Sequence, residues 1–299
     1  VRIPRLERRG LGAFERAVRA GEPVFVGSLG SGLVADELVP LCHAVGDPAL
    51  ERWLPPPARP RPDLSVSVVI PTHRARPIGQ HTLEAQDVHT EVLVLANGAW
   101  NEGIRVPWTG HGPTRNVGVA LARHPYVLLT VDDALPLGAG FVRTLVEALE
   151  SGGYDAVTAR QVPWPTSDPV TRARLRAWTP PGPRAEPILD NVAALYRREA
   201  LLADPFDVAE IAEDWLWGRR HHVGYVPAAV VAHAHPRNFR TLLERTRAIH
   251  RVRVDAGEVA SVDALTMMRA LPSVVGRDAP GALGELVGQW LGGRAPRRA

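Results

Sequence analysis

Three short runs of apolar, largely β-branched residues constrain this chain more than any other feature: SVSVVI (65–70), EVLVLA (91–96) and YVLLTV (126–131). Each has the length of a single strand, and runs this continuously apolar are buried on both faces, as in a parallel sheet. GPTRNVGVALARH (112–124) lies between the second and third, and FVRTLVEALE (141–150) follows the turn DDALPLGAG; both space their apolar residues as a helix does. Strand-helix alternation of this kind predicts an α/β fold with a mostly parallel sheet flanked by helices.

The proline- and arginine-rich stretch WLPPPARPRPD (53–63) sustains neither helix nor central strand and reads as a linker. Before it, LGAFERAVRA is helix-like, PVFV strand-like, GSLGSG a turn and LVADELVPLCHAV helix-like, so residues 1–62 form an N-terminal appendage. Gly27, Gly30 and Gly32 stand in the wrong order for a dinucleotide-binding loop. The main domain is expected over 63–238, with further strands at YDAVTAR, ILDNVAALY and GYVPAAVVAHAH, a helix at AEDWLWGRRHH and a Pro/Arg-rich loop over 162–187. Residues 239–299 read as a helical C-terminal region.

Composition excludes several classes. The 35 basic residues are all arginine, and against 32 acids they give a formal charge of only +3, scattered and not gathered into the patch that nucleic acid requires. The single cysteine, Cys42, closes no intramolecular disulfide and builds no thiolate zinc site, which fits a reducing cytoplasm. No run approaches the ~20 apolar residues of a membrane span, and the start VRIPRLERRG is not that of a secretory signal.

Chemistry-bearing residues cluster where strands end. Pro71-Thr72 follows the first strand, at the sheet edge where α/β folds bind ligands. Asp132-Asp133 follows the third; adjacent carboxylates there hold a divalent cation or cap the next helix. Arg115, in GPTRN, stands near a helix amino terminus, where an anion is favoured, or is an ordinary surface arginine. Glu213-Asp214 opens a helix, as acids often do for capping alone. His233 and His235 alternate along an extended segment, which sets both imidazoles on one face.

The order of these elements resembles the family-2 glycosyltransferases of the GT-A fold, in particular the rhamnosyltransferase-like branch: strand-PT, strand-NG, GPTRN helix, strand-DDA-x-P, AED, then YVPxAVVxHxH. The resemblance covers Val66 to about Val254. It implies transfer of a hexosyl or rhamnosyl group from a nucleotide-diphosphate sugar to an acceptor hydroxyl, inverting, dependent on a divalent cation (Mn or Mg), and serving polysaccharide biosynthesis. Pro71, Thr72, Arg74, Asn97, Arg115, Asn116, Asp132 and Asp133 would contact the nucleotide sugar. Asp133, His233 and His235 would form the metal site, and Glu213-Asp214 the catalytic pair, with the base on Asp214.

Two positions depart from the family's pattern: Val131 replaces the first acid of its DxD motif, and Ala96 an acid at the end of the second strand. They motivate an alternative, a non-catalytic sugar-nucleotide-binding or scaffolding protein on the same fold. A nucleotidyltransferase would want a glycine-rich, lysine-bearing loop where PTHRARP stands. The acceptor would be a glycan, a lipid-linked molecule or a small molecule. The tail helix GALGELVGQWLGGR, with Trp290, Arg294, Arg297 and Arg298, offers a weak peripheral contact to an anionic membrane, or packs on its own domain.

Overall fold

The computed structural model describes residues 61–73, 76–98, 103–164, 167, 169–184, 186–209, 211–235, 238–260, 268–269 and 279–293. The expected N-terminal helices, strand and glycine turn, the linker up to residue 60, Cys42, Arg74 and Arg294 onward lie outside these residues. The chain divides into two compact units, the first built mainly from residues up to 234 and the second mainly from 235 on.

The first unit is organised by one sheet of eight strands: β1 (Ser65–Thr72), β2 (His89–Ala96), β3 (Ile104–Arg105), β4 (Tyr126–Thr130), β5 (Leu135–Pro136), β6 (Ala156–Val162), β7 (Ala193–Arg197) and β8 (Val223–Ala232). Their order across the sheet is β3-β2-β1-β4-β7-β6-β8-β5. The three apolar runs of the sequence are adjacent and parallel: β1 pairs with β2 and with β4. β7 is antiparallel to both its neighbours, and β6 and β8 are again parallel to each other.

The helices are α1 (Gln80–Glu84), α2 (His111–Leu121), α3 (Phe141–Gly152), α4 (Pro169–Trp178), α5 (Arg198–Ala203), α6 (Glu213–Gly218), α7 (Phe239–Asp255) and α8 (Ala279–Gly293). Period-two alternation sorts the β1 side chains to two cores. Val66, Val68 and Ile70 join Phe141, Val142, Leu145, Val146 and Leu149 of α3 on one face. Val69 joins Leu95, Val119 and Leu129 on the other, with an aromatic group of Tyr196, Phe206 and Trp217. Helix α2 approaches β1 so closely that a Cβ at Gly118 would lie 2.3 Å from Val69 Cγ1, which only glycine allows.

Several expectations are corrected. β1 continues through Pro71 and Thr72, paired with Leu95 and Ala96. Its pairing with β4 ends at Val69, and proline is tolerated where a strand is no longer paired on both sides. The expected loop over 162–187 contains α4, which starts on proline and runs through helix-forming arginine, alanine and leucine. The expected helix over 212–222 is only Glu213–Gly218, because Ala212 sits at φ +66° and the chain turns toward β8 after Gly218. The strand read in ILDNVAALY is confined to Ala193–Arg197.

In the second unit α7 and α8 pack on each other. Cβ atoms at Gly284, Gly288 and Gly292 would come within 2.4, 2.7 and 2.4 Å of the carbonyl oxygens of Phe239, Leu243 and Arg247, so a glycine on every fourth residue lets the two backbones touch. Asn238 caps α7 by accepting the Thr241 N–H at 2.9 Å. Among the described residues no helix is long and apolar enough to cross a membrane.

Glu91 of β2 is an electrostatic anchor of the first unit. Burial works to raise its carboxyl, but hydrogen bonds from Arg123 and from the Ser67 hydroxyl (2.8 Å) outweigh it and hold the group below its ordinary range. A carboxyl depressed in the folded state stabilises above its unfolded pKa and loses that contribution as pH falls through the folded value. Glu91→Gln should therefore cost about 1 kcal/mol at pH 7. The gap to wild type, read by urea unfolding, should close below about pH 4.

Candidate active site

The sheet's strand ends build the site. One residue past the end of β4, after Val131, come Asp132 and Asp133, and the two carboxylates part company. Asp132 is tied to β1: its Oδ2 accepts the Thr72 hydroxyl at 2.7 Å and its carbonyl accepts the Ile78 N–H at 2.8 Å. Asp133 turns to β8, where its Oδ1 lies 3.5 Å from His233 Nε2. Val131, the residue before this pair, packs against the core cluster of β1 and α3.

The meeting of Asp133 and His233 follows from sheet register. β5 and β8 pair antiparallel, Leu135 with Ala232 and Pro136 with Val231, so continuing the ladder brings the residues before Leu135 alongside those after Ala232. The ligand atoms of Asp133, His233 and His235 all lie within 4.8 Å of one another. One carboxylate and two imidazoles fit a divalent transition metal; manganese accepts such a mixed set more readily than magnesium, which prefers oxygen alone.

Behind His233 lies a buried polar chain that the sequence reading missed. His233 Nδ1 is 3.2 Å from Gln161 Oε1, and Gln161 Nε2 donates to Asp190 Oδ2 at 2.6 Å. Asp190 also accepts the Trp178 indole N–H (3.2 Å) and the Val192 N–H (3.0 Å). The signal available in the sequence was β6 itself, AVTARQV, where Thr158, Arg160 and Gln161 are polar residues in a strand buried throughout.

Asp190 hands on to Asn191, whose N–H donates to Asp214 Oδ2 at 2.7 Å. The other Asp214 oxygen accepts the Trp215 N–H at 2.8 Å, so the carboxylate is held at both oxygens. Asn191 is itself held by the Tyr196 hydroxyl at 2.6 Å, and Trp217, one turn after Asp214, meets Tyr196 edge to face with ring centroids 5.2 Å apart. A continuous run of contacts thus joins Asp133, His233, Gln161, Asp190, Asn191 and Asp214. Glu213 is buried, and the strained Ala212 before it costs on the order of 1 kcal/mol.

Asn97, at the end of β2, donates its N–H to the Thr72 carbonyl and its side chain to the Val106 carbonyl, both at 2.9 Å. Asn116 spends both ends of its amide on the Phe206 backbone, at 2.9 and 3.1 Å, which pins the segment leading toward α6. Arg115 is buried in α2, and Pro71 is the penultimate residue of β1, before Thr72. A cavity of about 410 Å³ lies at the opposite, amino end of β4, lined by Arg123, Arg197 and Arg198 among others. Of these, Arg123 pairs with Glu91, Arg197 with Glu150, and Arg198 donates to the Val119 carbonyl.

No protein-family model matches the chain, and no curated protein matches it. Among solved structures it is similar to the mannosyltransferase PcManGT from Pyrobaculum calidifontis, in complex with GDP-Man and Mn2+, at 18% identity over 85% of each chain with a TM-score of 0.52. Weaker likenesses are TarS (1–349) from S. aureus with UDP-GlcNAc, 14% identical over 71% of each chain with a TM-score of 0.43, and mannosyl-3-phosphoglycerate synthase from Rubrobacter xylanophilus, 16% identical over 67% of this chain and 77% of that one with a TM-score of 0.42. Together with the strand order, the first of these identifies the fold as that of the GT-A glycosyltransferases.

Proposed function

We propose that this protein transfers a sugar from a nucleotide-diphosphate sugar to an acceptor hydroxyl, with inversion and with a divalent cation at the donor. The observation that carries the reading is the grouping of Asp133, His233 and His235 past the ends of β4 and β8, on a GT-A sheet and linked to a carboxylate held at both oxygens. Support comes from the mannosyltransferase of like fold, which was solved with a nucleotide sugar and Mn2+. Motif order supports family 2 and its rhamnosyl branch, a hexose or rhamnose as the sugar, and a role in polysaccharide assembly, and the single cysteine is consistent with a cytoplasmic setting.

In this reading Thr72, Asn97 and Asp132 shape the nucleotide end of the cleft, and Arg115 adds a cationic contact to the diphosphate. Bound by Asp133, His233 and His235, a manganese ion would supply Lewis-acid stabilisation of the departing diphosphate. Asp214 takes the proton of the acceptor hydroxyl on a carboxylate oxygen. The acceptor oxygen then bonds to the anomeric carbon from the face opposite the diphosphate, and the bond from that carbon to the leaving oxygen breaks. The Asn191 and Trp215 N–H groups keep the Asp214 carboxylate aimed during the transfer. Glu213 completes the acidic pair from its buried position.

Asp214→Asn should lower turnover ~10²–10⁴-fold with donor affinity nearly unchanged, measured by initial rates and by calorimetric titration of the donor. Unaltered turnover would remove Asp214 from the role of base. Asp133→Ala should abolish the extra thermal stabilisation that a nucleotide sugar gives in the presence of manganese, because bound ligand raises the melting point by mass action. A variant stabilised as strongly as wild type would move the cation elsewhere.

A further inference from the structure

We infer that Gln161 is a positioning residue for the metal site: it locks His233 in the tautomer that carries its proton on Nδ1 and turns the Nε2 lone pair toward Asp133. The inference deepens the metal-dependent reading above and rests on it.

Asp190 fixes the orientation of the Gln161 amide. Its Oδ2 lies 2.6 Å from one end of the Gln161 amide, a separation at which a carboxylate oxygen and an amide oxygen would face each other without a proton between them. The nitrogen must therefore be at that end, and Asp190 cannot turn away, because the Val192 N–H and the Trp178 indole N–H hold its two oxygens. With the nitrogen committed to Asp190, the amide presents its oxygen to His233 Nδ1 at 3.2 Å. An amide oxygen only accepts, so Nδ1 must be the donor. In a neutral imidazole this leaves Nε2 as the ligand atom, and Nε2 is the nitrogen 3.5 Å from Asp133.

Burial makes the lock effective. Gln161 and His233 are 5% and 4% exposed, so water offers little competition for either group. The His233 N–H donates to the Val162 carbonyl at 2.9 Å, and the Thr179 hydroxyl donates to the Gln161 carbonyl at 2.9 Å, so both backbones are fixed beneath their side chains. Partners of this kind behind a ligating histidine commonly change metal affinity by about 10–100-fold when removed.

The test compares wild type, Gln161→Leu and Gln161→Glu by two readouts that require no transfer activity. Long-range 15N–1H NMR of the metal-free protein at pH 8.5 reports which His233 nitrogen is protonated, and electron paramagnetic resonance of Mn2+ reports its affinity. Wild type should show the Nδ1–H form. Gln161→Leu should lose its predominance and bind Mn2+ about 10–100-fold more weakly. In Gln161→Glu a proton shared with Asp190 replaces the amide N–H, so the Nδ1–H form and an affinity close to wild type should return. If Gln161→Leu folds and keeps both the tautomer and the affinity, or if wild type shows the Nε2–H form, the inference is wrong; if Gln161→Leu does not fold, a Gln161→Glu protein lacking the Nδ1–H form overturns it equally. A wild type with the Nδ1–H form and no Mn2+ binding would sink the metal reading and leave the tautomer lock standing.

Discussion

The two-residue antiparallel pairing of Leu135-Pro136 with Val231-Ala232 is the contact on which the candidate site depends. β4 and β8 are not neighbours in the sheet, and the residues leaving their ends meet only because β5 folds back onto β8. A slip of one residue in that short ladder would reverse the faces of both partners and separate Asp133 from His233. The ladder lies in the interior, with Leu135, Val231 and Ala232 wholly inaccessible.

The segment before β7, Asp190-Asn191, ties the two halves of the site. Asp190 faces the metal side through Gln161, and Asn191, the next residue, holds Asp214 through its N–H. Buried polar chains of this kind are costly unless every member is partnered. Here a tyrosine hydroxyl, an indole N–H and backbone amides complete the chain, and the aromatic group of Tyr196, Phe206 and Trp217 supports it from below. Displacing Asn191 would therefore disturb both the base and, through Asp190, the histidine.

The parts legible in the sequence were those set by local pattern. β1, β2 and β4 declared themselves by uninterrupted apolar runs, and His233 and His235 by their spacing of two after such a run. Helix α4 was hidden by its arginine-rich, weakly amphipathic sequence between prolines. Gln161 and Asn116 were opaque for another reason: their partners lie far along the chain, His233 by 72 residues and Phe206 by 90. No local pattern encodes such a pairing. Asn116 carries the sequence signature of a ligand-binding residue, yet both ends of its amide hold backbone.

Anomalous diffraction at the manganese edge, from crystals grown with Mn2+ and a nucleoside diphosphate, tests the central claim most directly. One anomalous peak within bonding distance of the Asp133 carboxylate and of His233 Nε2, with the diphosphate on its open side, is the expected outcome. A manganese peak bound elsewhere, or a diphosphate seated away from these residues with no metal beside it, would contradict it.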